Sequence, residues 1–256
     1  MHKNGVQSIE RTFSIINELS QVPNGISLSK LATATALNKS TVHRLLSALI
    51  MLGYVTKDER TSRYMLTIKM FEIGSRVIDK LDINAVSKLY LEKLSIVTGE
   101  AVHLVVRDGN YIVYISKQDS GSNSVRMSSR IGLRRPMYTT AVGKSILAEL
   151  PSEEVEKIWQ TSIIIKYTAN TITSLAELKG QLDIIRKRGY AIDDEENELG
   201  VKCVGASLLD YSRKVAGAFS VSVPSARMDD NRLKKISELV LETRKEICSL
   251  LGCSLK

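Results

Sequence analysis

Cysteine, histidine and aromatic side chains are scarce in this 256-residue chain, which holds three Cys, three His, three Phe and one Trp. Cys203, Cys248 and Cys253 are odd in number and form no Cys-x-x-Cys pair, which argues against a disulfide framework and a zinc ribbon. His2, His43 and His103 are too dispersed for a local ligand motif, so no metal and no cofactor is expected. No run approaches the roughly 20 apolar residues that cross a bilayer. The opening MHKNGVQSIERTF lacks the apolar core and cleavage site of an export signal. A cytoplasmic protein with no membrane partner is expected, the more so because no segment sets a dense Lys/Arg face against aromatic residues. Catalytic signatures are missing too. There is no Gly-x-Ser-x-Gly elbow, and Ala141 to Ser145 lacks the first glycine of a phosphate loop. A Cys203 nucleophile would need a base, and His103, about a hundred residues away, has no evident orienting partner. No catalytic residue is assigned.

What the chain does have is the run ISLSKLATATALNKSTVHRLLSALIMLGYV, from Ile26 to Val55, in which two short helical segments abut across Ala36-Leu37-Asn38. In the second segment Val42, Leu45, Leu46, Leu49 and Leu52 recur at the three- and four-residue steps of a buried stripe. Asn38 or Ser40 can cap it, leaving free amides that favour a phosphate. Lys39, Ser40, Thr41, His43 and Arg44 near that end offer charge and donors with little bulk, as a helix entering a major groove about 12 Å wide requires. Any small amphipathic helix exposes such residues, but here a hairpin follows. Gly53 ends the helix, Tyr54 to Lys57 and Arg63 to Leu66 read as strands, and Lys57, Arg60 and Arg63 surround a polar turn. This is a winged helix-turn-helix pattern, whose expected partner is double-stranded DNA. An earlier helix over Ser8 to Glu18 carries Ile9, Phe13, Ile16 and Leu19 as its apolar stripe, and after Pro23-Asn24-Gly25 Ser27 starts the next.

Charge agrees with this placement. Residues 1–80 hold 11 Lys and Arg against 6 acids, leaving 25 against 22 for residues 81–256, so the excess concentrates around the reading head. Helical spacing over Thr67 to Lys80 and a second helix over Ala85 to Thr98 flank Leu81 to Asn84. Strands follow at Ala101 to Arg107 and Tyr111 to Lys117, then around Ser124 to Ser129, with a loop running on to Met137. Helices are expected at Thr140 to Glu149, Ser152 to Gln160, Leu175 to Arg188 and Asp229 to Leu251. Further strands lie at Gly205 to Leu209 and Val215 to Val223. Interspersed hairpins and helices predict an α+β fold with helices packed on an antiparallel sheet. The domains expected are 1–66 for DNA binding, 67–84 as a linker helix and 85–256 as a larger domain, to which the resemblance described below assigns effector binding and oligomerisation.

Thr139 to Gly143 opens a helix whose amides and dipole can hold a carboxylate without a charged side chain. Asp193 or Asp194 can accept from ligand hydroxyls, while Asp194-Glu195-Glu196 reads as a solvated acidic loop. Alternation sets Ser220 and Ser222 on one strand face.

Taken together, KSTVHRLLSALIMLGYV, TGEAVHLVVRDGNYIVYI, MYTTAVGKSILAEL, GYAIDDEENELGVKCVGASLLD and AGAFSVSVPSAR resemble the IclR-type bacterial transcriptional regulators, from the N-terminus to near residue 252. The resemblance implies a GAF/PAS-like effector domain and self-association as dimers or tetramers on near-palindromic operators. Most such proteins repress genes for small organic acids, so a small-molecule organic acid effector is implied. Residue by residue, it implies effector contacts at Asp193, Cys203, Ser220 and Ser222, an apolar wall at Met127 and an anion end at the backbone of Ala141 and Val142. The family commonly carries Gly-Ala or a similar small pair where this chain has Ala141-Val142. A sugar acid such as a 2-keto-3-deoxy acid suits these groups, with aromatic and short keto acids as alternatives. A ligand-independent architectural DNA-binding protein is the rival reading.

Overall fold

The computed structural model describes residues 6–78, 82–119 and 129–255. The chain divides into two compact units, residues 1–80 and 81–256.

The first unit runs α1 (Gln7–Ser20), β1 (Ile26–Ser27), α2 (Leu28–Ala34), α3 (Lys39–Met51), β2 (Val55–Lys57), β3 (Arg63–Leu66) and α4 (Lys69–Ile78). The three strands form an antiparallel sheet in the order β1-β3-β2. Ser27 therefore ends a short strand and occupies the N-cap position of α2. Between α2 and α3 the chain turns through Ala36 in the left-handed region, at φ 53°, with the Leu37 amide bonded to the Ala32 carbonyl at 3.0 Å. Ile15, Leu19, Leu31, Val42, Leu46, Leu49, Val55 and Tyr64 form the core. The buried stripe of α3 is narrower than its spacing suggests, since Leu45 is half-buried and Leu52 is exposed. On α1 the expected stripe splits: Leu19 is buried and Ile16 half-buried, whereas Ile9 and Phe13 are exposed, and Ile15, outside that stripe, is buried in their place. A small domain packs one face of such a helix, and α1 carries apolar residues on two. Ile68, Phe71 and Ile73 at α4 are exposed as well, while Val77 and Ile78 lie outside the described side chains.

The second unit runs α5 (Asp82–Thr98), β4 (Ala101–Asp108), β5 (Tyr111–Gln118), β6 (Arg134–Pro136), α6 (Ala141–Ala148), α7 (Ser152–Thr161), α8 (Leu175–Arg188), β7 (Ala191–Asp194), β8 (Val201–Leu209), β9 (Val215–Pro224) and α9 (Asp230–Leu250). Its antiparallel sheet has the order β6-β5-β4-β9-β8-β7. One face, with Val102, Leu104, Phe219 and Val221, packs on α5 and α9. The other, with Val105, Ile112, Ala191 and Ala218, is covered by α6, α7 and α8. Every residue of α6 is buried. A Cβ on Gly143 would overlap the Met137 backbone, so only glycine lets this helix seat.

Several boundaries differ from expectation. α5 opens at Asp82, three residues early. Arg134–Pro136 is a strand where a loop was expected; it pairs with β5 at the sheet edge, where a proline without a ladder donor is tolerated. Ala191–Asp194 is likewise a strand, and β8 begins at Val201, four residues before Gly205. The strand expected around Ser124 to Ser129 and its wall residue Met127 lie outside the described residues, except that Ser129 is not in a strand. Among the described residues, no helix is long and apolar enough to cross a membrane.

Candidate functional site

On α3, burial of Val42, Leu46 and Leu49 turns the opposite face outward. Lys39, Ser40, His43 and Arg44 are exposed and Thr41 is half-buried. Asn38 sits at the N-cap without a side-chain cap bond, so the first-turn amides remain available to an anion. No described residue bonds the side chains of Lys39 or Arg44. In the wing, Asp58 accepts from the Thr61 amide at 2.6 Å and its hydroxyl at 2.8 Å. These bonds hold its carboxyl below the usual range and fix the turn that carries Arg60. Lys57 lies 5.8 Å over the Tyr64 ring, and Arg63 reaches the Asn24 carbonyl at 3.5 Å. The structure thus brings all eight sequence-derived positions into one small unit, and seven of them are exposed.

In the second unit, strand register assembles a polar patch on the α6 face. Asp193 pairs with Cys203, Cys203 with Ser222, Gly205 with Ser220 and Ser220 with His103. Paired residues of an antiparallel ladder share a face, so one row reads Asp193, Cys203, Ser222 and the next Gly205, Ser220, His103. Five of those six residues, all but Gly205, line a cavity of about 30 Å³ with Tyr114, Arg135, Ala141, Val142, Asn197 and Glu198 among others. Arg135 comes from one edge strand and Asp193 from the opposite edge, so the sheet curls around this cavity. The Thr140 hydroxyl caps α6 by accepting from the Gly143 amide at 3.0 Å, which leaves the amides of Ala141 and Val142 free of side-chain caps.

Burial sets the electrostatics. Asp193 is 3% exposed, and desolvation, seconded by Glu196, pushes its carboxyl up to about 7. Its Oδ1 accepts from the Glu196 amide at 2.8 Å and the Asn197 amide at 3.3 Å. Desolvation pushes the Cys203 thiol up, so it stays protonated, which makes it a poor nucleophile. It lies 3.1 Å from the Ser222 hydroxyl. His103, held down to about 4 by desolvation and then by Lys117, is neutral. Its Nδ1 is hydrogen-bonded to Ser222 at 3.2 Å and its Nε2 to Ser129 at 2.7 Å. A neutral imidazole has one donor and one acceptor, so one serine donates and the other accepts. His103 is therefore an oriented member of the patch.

The acidic loop also differs from expectation. Asp194 is exposed, but Glu196 is buried and forms an ion pair with Lys144 of α6, which is fully buried. Desolvation still raises the Glu196 carboxyl despite that lysine. Sequence reasoning missed Lys144, Glu196, His103 and Arg135; for His103 the available signal was alternation within the expected strand Ala101 to Arg107, which sets it on the face opposite Val102 and Leu104.

A winged helix-turn-helix unit carried in one chain with a helix-covered α+β unit defines the domain plan of a transcriptional regulator. The chain belongs to the IclR family of these. The family model for the IclR helix-turn-helix domain matches residues 8–59, and that for the bacterial transcriptional regulator IclR C-terminal region matches residues 75–249. The HTH-type transcriptional regulator KdgR of Escherichia coli K12 is 35% identical over 247 residues, covering 96% of this chain and 93% of that protein. The DNA-binding transcriptional repressor YiaJ of the same strain is 35% identical over 254 residues, 98% and 90% of the two. Among solved structures, Thermotoga maritima IclR superposes with a TM-score of 0.81 at 32% identity, covering 97% of this chain and all of that one. These relatives are regulators of transcription, not enzymes.

Proposed function

We propose that this chain is a cytoplasmic, homo-oligomeric repressor whose affinity for its DNA operator is set by a small organic acid, a hydroxylated sugar acid fitting best. The observation that carries this reading is the convergence of Asp193, Cys203, Ser220 and Ser222, on three strands, with the first-turn backbone of α6 on one enclosed cavity. The groups divide by chemistry: Asp193 and the serines serve hydroxyls, and the Ala141 and Val142 amides serve a carboxylate. Residues 1–66 act as the reading head and residues 67–84, which include α4, as the linker between the two units. The exposed Ile9, Phe13 and Phe71 suit burial against a second copy.

A cavity near 30 Å³ is far below the ~300–1,000 Å³ of typical ligand pockets. A ligand of several carbons therefore enters only as the wall yields, and differential binding to two wall arrangements is what regulation requires. A coupling of about 1–3 kcal/mol changes operator occupancy by roughly 5–150-fold.

The test is a promoter-binding titration at fixed salt with and without candidate acids. Preference for the chain's own promoter that shifts with one acid supports the reading, and indifference to both promoter and acids removes it. Arg44→Ala is expected to weaken operator binding by about 10–100-fold, the worth of a good base contact, while leaving the calorimetric affinity for the acid unchanged. Unaltered operator affinity would take Arg44 out of the interface.

A further inference from the structure

Two adjacent arginines on β6 meet opposite fates. Arg134 pairs in register with Val113; its guanidinium bonds the Asp108 carboxylate at 2.8 Å and lies 4.9 Å over the Tyr111 ring. Arg135 pairs with Ile112, whose side chain is fully buried under the helices. Arg135 therefore points to the inner face, where it lines the cavity beside Tyr114, Thr140 and Val142. Its charge acts on the buried Tyr114 hydroxyl. Among the described residues, none bonds or ion-pairs its guanidinium. The two acids on the same cavity do not serve it: Asp193 is engaged by two backbone amides, and Glu198 has a partner of its own. A half-buried guanidinium is a fixed positive charge with five donors. Held at a cavity wall with no ion-pair partner among the described residues, it leaves a cost that an anionic ligand removes.

We infer that Arg135 is a specificity-determining residue that meets the carboxylate of the ligand directly, selecting free acids over their neutral amides and esters. This rests on the effector reading above and sharpens it, because the carboxylate then meets a charged fork as well as backbone amides. The planar guanidinium matches a carboxylate with two parallel bonds, which lysine cannot supply. Neutral His103 and the protonated Cys203 leave the ligand's hydroxylated remainder in a region of uncharged donors and acceptors.

The test uses the full chain and calorimetry with D-gluconate, D-galacturonate, 2-keto-3-deoxy-D-gluconate and pyruvate, each beside its neutral amide or methyl ester. Arg135→Gln is expected to weaken the best-bound acid by about 10–100-fold, the worth of a charge-assisted bond, and to leave its neutral counterpart unchanged. Arg135→Lys should fall between the two. Equal loss for acid and neutral counterpart would mark a merely structural role and overturn the inference, as would an acid affinity untouched by Arg135→Gln. Those outcomes leave the effector reading standing. If none of the acids binds the unaltered chain, the organic-acid reading fails and this inference fails with it.

Discussion

Lys144→Met is expected to destabilise the second unit by about 3–5 kcal/mol, the cost of removing one partner from a buried ion pair. Lys144 is fully buried in α6, and its ammonium bonds Glu196 Oε1, while Glu196 Oε2 has no partner among the described residues. Without the ammonium, a carboxyl already raised by desolvation loses what holds it down. It will be protonated at higher pH than before. The penalty should accordingly be smaller at pH 5 than at pH 8, because protonation spares the buried negative charge. Lys144→Met combined with Glu196→Gln should recover most of the loss, since replacing both members of a buried pair is often near neutral. Trp159 is the only tryptophan and lies in α7, edge-on to Tyr138 at 5.5 Å. Its fluorescence during urea unfolding reports this unit alone. Coincident midpoints for the parent chain and Lys144→Met would show that the pair carries no such weight.

The ion pair also reaches the cavity. Glu196 donates its amide to Asp193, and its carbonyl accepts from the Thr171 hydroxyl at 2.6 Å. Loss of Lys144 thus loosens the loop that carries Asn197 and Glu198 to the cavity wall.

The reading head was legible in the sequence because its helices are amphipathic: Val42, Leu46 and Leu49 keep a 3.6-residue period that solvent on the other face makes visible. The wing was legible from Gly53 and the polar turn before Arg63. α6 gave no such contrast. It is buried all round, so Lys144 looks like one polar position of a surface helix when it is a core residue. Glu196 was misread for the same reason, since three consecutive acids resemble a solvated loop until the register of β7 turns the chain inward. The edge strands escaped notice because Arg134-Arg135-Pro136 and Ala191 to Asp194 are three and four residues long, with charges and a proline that mask alternation. On α1 the spacing of Ile9 and Phe13 was real, but periodicity identifies apolar faces without saying which one the core covers. The cavity residues Asp193, Cys203, Ser220 and Ser222 came from family resemblance, and the register then put Asp193, Cys203 and Ser222 in one row and Ser220 in the next.

Asp193→Asn is expected to stabilise the second unit at pH 8 by up to about 4 kcal/mol and to leave it nearly unchanged at pH 4. In the folded chain the carboxyl is raised from 3.8 to about 7, and each unit of such a shift corresponds to about 1.4 kcal/mol. Between these values the native state keeps a proton that the unfolded chain has released. Stability therefore falls as pH rises through this window and levels off above it. Asparagine carries no such proton, so its advantage over the parent opens from pH 4 upward and is complete above pH 7. Its carbonyl oxygen can accept the same two amides, from Glu196 and Asn197, so little is lost in exchange. Lys144 and Glu196 are the charged neighbours acting on Asp193, and removing its charge relieves Glu196 of a like-charge neighbour. Urea unfolding followed by Trp159 at pH 5 and pH 8 decides the matter. A stability difference between variant and parent that stays flat with pH would mean that Asp193 ionises in the folded state as it does in the unfolded chain. A side chain that costs stability at neutral pH, on the wall of a polar cavity, is what binding sites keep at the expense of the fold. The gain on replacing Asp193 should therefore come with weaker binding of hydroxylated acids, because asparagine cannot offer a ligand hydroxyl an anionic acceptor.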